Sequence, residues 1–232
     1  MKLAIVTAYP PSKVTLNEYA YHLVKSFRHS EKVSQLILLT DETPEGKDIN
    51  FTENGCKITV KECWKFNSYT NIINVTKAIN LTKPDAILFN LQFMKFGDKK
   101  VAAALGLAIP MVCKIKRIPT IVLLHNILEQ VDLESAGFTS NKLAQKVYNF
   151  IGTSLTKLIL RADLVAVTMD KYVTTLVDKY KVDNVKMIPH GTFEIPENPS
   201  QELPEGPLKI MTFGKFGTYK KVESMIEAVE LV

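Results

Sequence analysis

The stretch that decides the fold reads Asp85-Ala-Ile-Leu-Phe-Asn90, then a mostly apolar segment from Lys99 to Lys116, then Thr120-Ile-Val-Leu-Leu-His125. Two short aliphatic runs flank a helical pattern. Neither run alternates apolar with polar residues, so both faces of each strand are expected to be buried, as in a parallel sheet covered by helices. Each run ends on a polar side chain, Asn90 and His125. A right-handed crossover between two such strands brings both ends to one edge of the sheet. In doubly wound sheets that edge is where ligands bind.

The same alternation continues in both directions. Upstream, Leu3 to Thr7 reads as a buried strand and Leu16 to Phe27 as a helix, with Thr15 and Glu18 spaced as a capping box. Strands are expected over 33–40 and 57–63, and a helix over 68–81 with Ile72, Val75, Ala78 and Ile79 turned inward. The segment 99–116 reads as a helix kinked at Pro110. Downstream come a long helix over 141–160, a strand over 164–168, a helix over 171–180 and a strand over 185–188. The pattern predicts an α/β fold: a doubly wound, parallel, Rossmann-like sheet with helices on both faces. Residues 194–207 hold four prolines and four glutamates and read as a stiff, solvated linker. After it, Ile210-Met-Thr-Phe213 and the helical pattern from Val222 read as the first strand and helix of a second unit. The expected domains are therefore 1–193, the linker 194–207, and the start of a truncated second domain over 208–232.

Composition narrows the function. The chain of 232 residues is 46% hydrophobic and 23% charged, which is globular. A formal charge of +5 is weaker than a dedicated nucleic-acid binder carries, so no nucleic-acid partner is expected. Three cysteines without C-x-x-C spacing argue against a disulfide framework or a zinc site and fit a reducing cytoplasm. No metal cluster is evident, and no run approaches the length of a membrane span.

The first strand is followed by Ala8 to Val14, a loop with no glycine. A dinucleotide fingerprint needs glycines there so that backbone can approach a pyrophosphate, so the loop argues against a nicotinamide or flavin enzyme of that type, while an unrelated Rossmann-like nucleotide enzyme stays open. Lys13 and the helix start beside Thr15 could attract an anion, or the loop is only a proline-stiffened connector. His125, Asn126 and Asn90 at the sheet edge are binding candidates, as is His190 in Pro189-His-Gly191. A structural histidine is the competing reading of each imidazole.

Four places together resemble the retaining, nucleotide-sugar-dependent glycosyltransferases of the GT-B fold, in the family of glycogen synthase-like and mannosyltransferase enzymes. They are the opening strand with Tyr9-Pro-Pro11 and Glu18-Tyr-Ala-Tyr-His-Leu23; Leu124-His-Asn126; Ala162 to Thr168 followed by Val185-Lys-Met-Ile-Pro-His-Gly191; and Phe213-Gly-Lys-Phe216 with Lys220 and Ile226-Glu-Ala228. The resemblance implies transfer of a sugar from a nucleotide diphosphate sugar to a hydroxyl acceptor, without a cofactor. It implies an acceptor and sugar side at His125 and the first loop, and a donor diphosphate site at Lys215 and Lys220. The departures are Val14-Thr-Leu16 where the family carries Gly-Gly, Lys215 where it carries Arg, and the absence of the family's paired glutamates. The resemblance thus implies an enzyme in full-length form and a chain that is inactive alone.

Two further readings stay open. From Lys95 to Arg161, ten basic residues face four acidic ones, with apolar residues interleaved. This pattern suits an anionic membrane surface and a lipid-linked or saccharide acceptor, with a cytoplasmic protein peripheral to the membrane, or it is a solvated helix face. The chain also reads as a non-catalytic module, or one subunit of a split transferase, that recruits acceptor or membrane.

Overall fold

The computed structural model describes residues 1–44, 49–53, 55–130, 142–191, 206–207, 210–211 and 222–230. Residues up to His190 build one body, and helix α7 (Val222–Glu230) belongs to a separate one. The strand expected over 210–213 lies largely outside the described residues, as does most of the linker.

The first body is an eight-stranded sheet in the order β3-β4-β2-β1-β5-β6-β7-β8. Its strands are β1 (Lys2–Val6), β2 (Gln35–Asp41), β3 (Ile49–Glu53), β4 (Cys56–Trp64), β5 (Ala86–Leu91), β6 (Thr120–Leu124), β7 (Leu164–Val167) and β8 (Val185–Met187). All neighbours pair in parallel except β3, which runs antiparallel to β4 at the sheet's edge. The parallel, doubly wound sheet read from the sequence is thus present, with β3 as an additional antiparallel edge strand that the sequence reading did not include. A short hairpin closes at Gly55, whose φ of +76° a glycine adopts without strain.

Strand direction fixes where the helices go. From β1 the chain steps to β2 through α1 (Asn17–Phe27), adds β3 and β4 at the edge, then crosses back from β4 over β2 and β1 to β5 through α2 (Asn71–Thr82). It continues outward through α3 (Lys100–Leu107) and α4 (Ile109–Ile115), α5 (Lys142–Ile159) and α6 (Asp170–Tyr180). Right-handed crossovers in opposite directions lie on opposite faces. Accordingly α1 packs Val24 with Leu3, Ile5 and Leu38 on one face. The other face packs Val75 and Ile79 of α2, Leu107 of α3, Ile109 of α4, Ile159 of α5 and Leu176 of α6 against Ala4, Val6, Phe89, Val122 and Val167. Each fully buried Leu or Ile contributes about 1.5–3 kcal/mol, so these two layers set the stability of the body.

Two helix readings change. The expected kink at Pro110 is a break at Ala108, with Pro110 in the first turn of α4, where its missing N–H costs nothing. The expected capping box at Thr15 does not form. The N-cap is Leu16, in the left-handed region at φ 74°, and no side chain caps it. Instead Asn17 accepts the Glu18 amide on Oδ1 (2.7 Å) and donates from Nδ2 to the Ser12 carbonyl. Tertiary bonds to the loop outcompete the local box.

Gly106 in α3 lies against the buried Phe96 ring, and a Cβ there would sit 2.3 Å from the ring's Cγ. Glycine to alanine inside a helix ordinarily gains about 1 kcal/mol. Overpacking a core costs about 1–3 kcal/mol, and the root of a ring cannot swing aside as a flexible chain end can. Gly106→Ala is expected to destabilise the chain by up to about 2 kcal/mol in urea unfolding. A stabilised variant would show that the α3 contact with Phe96 is loose.

Candidate functional site

The strand order reverses between β1 and β5, the point at which the loops of a doubly wound sheet are expected to part into a crevice. Three polar side chains from three adjacent strands meet at this edge. Thr7, just past β1, donates its hydroxyl to the Ala8 carbonyl (2.9 Å). Asn90 in β5 donates from Nδ2 to Thr7 Oγ1 (2.9 Å). His125, just past β6, bonds through Nε2 to Asn90 Oδ1 (2.6 Å). Thr7 and Asn90 are fully buried and His125 is half-buried.

The donors and acceptors fix the imidazole tautomer. Thr7 spends its hydrogen on a carbonyl and therefore accepts from Asn90. The Asn90 amide nitrogen is thereby committed, and its oxygen faces His125. An amide oxygen only accepts, so Nε2 carries the proton and Nδ1 keeps the lone pair. The His125 amide completes the anchoring by donating to the Leu91 carbonyl (3.0 Å).

Rings surround this imidazole. Tyr19 of α1 meets it edge-on at 4.5 Å between centroids, and His190, past β8, stacks on it at 5.3 Å and 21°. Tyr19 also meets His190 edge-on at 5.5 Å. Burial first, then the electrostatic influence of His190 and of the Lys95 ammonium, pushes the His125 pKa down to about 4. His125 is thus neutral at physiological pH. It is too weak a base for efficient proton abstraction there, and its Nδ1 lone pair suits acceptance of a hydroxyl hydrogen.

The other sequence candidates are placed differently. Asn126 is next to His125, and its Oδ1 accepts the Phe93 amide (3.3 Å), which ties the β6 loop to the β5 loop. Lys13 is exposed in the first loop, and Thr15 contributes its backbone carbonyl, which accepts from Lys95 Nζ (2.9 Å). Lys215 and Lys220 lie outside the described residues. Sequence reading missed Thr7, Tyr19, Ser12, Asp41 and Lys95. Thr7 could have been found, since it ends the first apolar strand as Asn90 and His125 end theirs. Lys95 carries no such signal. It was counted with the basic surface residues, yet it is fully buried.

No group of His, Cys, Asp or Glu among the described residues is arranged to hold a metal ion. No described helix is long and apolar enough to cross a membrane.

The depressed His125 value has a stability consequence. Its folded pKa, about 4, lies below the unfolded value near 6.5, so the unfolded chain takes up the proton first as pH falls. Stability is complete above about pH 6.5 and declines toward pH 4. Asp41, raised mainly by burial, opposes this on the acid side, but equally in a His125 variant. His125→Gln retains a donor for Asn90 and should remove about one proton of acid-side slope in urea midpoints. An unchanged slope would show that His125 is not held neutral.

No protein-family profile matches the chain, and no curated protein matches it in sequence. Solved structures are similar to it at 10% identity. A sucrose-phosphate synthase from Thermosynechococcus elongatus superposes with a TM-score of 0.48, covering 83% of this chain and 90% of that one. Apo UGT2 of Phytolacca americana gives 0.46 over 84% of this chain and 52% of its own. A UDP-forming trehalose-phosphate synthase from Burkholderia vietnamiensis gives 0.41 over 83% of this chain and 48% of its own. The chain thus spans about half the length of the latter two.

Proposed function

We propose that residues 1–193 are the acceptor-side domain of a GT-B glycosyltransferase that moves a sugar, with retention, from a nucleotide diphosphate sugar to a hydroxyl acceptor. The observation that carries this reading is the Thr7–Asn90–His125 relay, which presents a neutral imidazole lone pair at the sheet's switch point. Sugar and acceptor hydroxyls are the groups such a lone pair holds. The order of the four resembling segments along the chain supports the same reading.

A leaving diphosphate asks for something else, namely fixed positive charge where negative charge develops. The wall around His125 supplies imidazoles, an amide and a phenol. The resemblance assigns the charge to Lys215 and Lys220, in a donor domain that begins after the linker. On this reading the acceptor wall binds saccharide but does not turn over by itself.

The test uses the whole chain. Saccharide acceptors are expected to shift the His125 and His190 resonances, with roughly 10-fold or greater weakening in His125→Ala. UDP-, GDP- and ADP-sugars are expected to release no nucleoside diphosphate. Turnover by this chain would overturn the separation of donor and acceptor chemistry. Tight nucleotide binding at the β1–β5 edge, without saccharide binding, would favour an unrelated nucleotide enzyme.

A second surface supports an association with anionic membrane. Helix α5 contains no acidic residue over its 18 positions. Lys146 and Lys157 are exposed on it, and Val147 and Phe150 are 51% and 74% exposed. Each lysine near an anionic bilayer contributes about 1 kcal/mol, and burying a phenylalanine about 1.5–3 kcal/mol. Of the basic residues counted in the sequence, Lys95 is buried and Lys114 pairs with Asp163, so neither belongs to this surface. Co-sedimentation with phosphatidylserine vesicles should fall about 10-fold in Phe150→Ser. Failure to bind such vesicles at low salt would remove the membrane from the proposal.

A further inference from the structure

Lys95 is fully buried in the loop after β5, as are Phe93 and Phe96 on either side of it in sequence. Its backbone is pinned on both sides: the Lys95 amide donates to the Gln92 carbonyl (3.0 Å), and the Asn67 amide donates to that of Phe96 (2.8 Å). The ammonium donates to the Thr15 carbonyl (2.9 Å) and lies 5.4 Å from the centre of the Trp64 ring. A buried ammonium persists only where such partners offset its lost hydration.

Thr15 lies inside a turn whose own backbone bond, from the Asn17 amide to the Val14 carbonyl, is long at 3.3 Å. Leu16 follows it at φ 74°, a conformation that disfavours every side chain with a Cβ. The family resemblance leads one to expect glycines there, and this chain has Val14-Thr-Leu16 instead. The start of the turn is held separately. Ser12 Oγ donates to Asp41 Oδ2 (2.6 Å) and accepts the Val14 amide (3.1 Å). Immediately beyond Leu16, α1 begins and carries Tyr19 onto His125 and His190.

We infer that Lys95 is a positioning residue of the crevice: its ammonium holds the Thr15 carbonyl, fixes the left-handed turn at Leu16, and thereby seats Tyr19 against His125. A charge-assisted bond is comparable in strength to the cost of one left-handed residue, so this contact offsets that cost and adds to the Asn17 bonds to the Val14 and Ser12 carbonyls. The same cation lies near enough to His125 to help keep it neutral. Burial lowers Lys95 itself to about 8, with the Asp41 carboxylate opposing, so it remains charged at neutral pH. Lys95 thus supplies geometry and field together, without contact with a ligand.

The inference takes the crevice as the acceptor site proposed above. Its test needs no ligand, so either can fail alone. The groups facing His125 are His190, Tyr19 and Lys95, and Asp41 faces Lys95. In labelled protein, Lys95→Met is expected to abolish the Tyr19–His125 ring contact seen by NMR and to raise the His125 midpoint a little above about 4, since burial and His190, the larger causes of its depression, remain. Adding Leu16→Gly should restore the ring contact, because glycine holds the turn freely, while the midpoint stays raised because the charge is gone. A purely structural lysine would not separate the two readouts in this way. An intact ring contact in Lys95→Met overturns the inference, as does a midpoint that returns to about 4 with Leu16→Gly. If the variants do not fold, the wild-type ammonium decides. Slow exchange, cross-peaks to Thr15 and titration near about 8 support the inference, and a rapidly exchanging ammonium of ordinary pKa sinks it.

Discussion

Strands β1 and β5 lie side by side, although α1, three strands and α2 separate them in the chain. This pairing is where the chain reverses its direction of travel across the sheet, and the crevice depends on it. The crossovers before and after it lie on opposite faces, so no helix covers the gap between the two strand ends. Asn90 then bridges that gap with an amide whose two ends must both be satisfied, by Thr7 on one side and His125 on the other. A buried amide group left without a partner costs about 1–3 kcal/mol. The relay is therefore part of what holds the reversal in register, as well as what presents the imidazole.

The electrostatics of the site follow from this packing. An imidazole among Tyr19, His190 and a buried relay loses hydration, and nearby positive charge further disfavours its protonation. The same low-dielectric surroundings depress the Lys95 ammonium, yet not enough to discharge it. Two basic groups therefore sit at one edge with opposite charge states at neutral pH. The neutral one offers a lone pair, and the charged one is withdrawn beneath the first loop. A wall of this kind favours hydroxyl groups over phosphates, which is why it supports an acceptor-side reading better than a nucleotide-side one.

Much of the fold was legible because parallel strands have a local signature. Aliphatic runs ending in Asn90 and His125 announced both the sheet and its functional edge, since each end is polar where the run before it is not. Strand β3 was missed because Ile49-Asn-Phe-Thr-Glu53 is short and half polar, and it is a strand only through its pairing with β4. The Thr15–Glu18 spacing matched a capping box, but Asn17, Ser12 and Lys95 offered the loop tertiary bonds instead. Lys95 was illegible for the same reason. Its partner Thr15 lies 80 positions away, and a lysine between two aromatics reads as solvent-exposed until the fold closes over it.

The loop without glycine connects these points. In a loop built to approach a pyrophosphate, glycines give backbone access and adopt left-handed turns at no cost. Here a leucine makes the turn, and side chains brace it: Ser12 and Asn17 within the loop, and the Lys95 cation from below. The exchange removes backbone access to a phosphate and adds a tyrosine contact to the imidazole pair. On the proposed reading, this chain has given up phosphate contact on the acceptor side of the cleft. The burden of neutralising a leaving diphosphate then falls on the donor side, where the resemblance puts Lys215 and Lys220. Lysine lacks the bidentate fork of arginine, so on this reading the donor side would grip the diphosphate by point charge more than by paired hydrogen bonds.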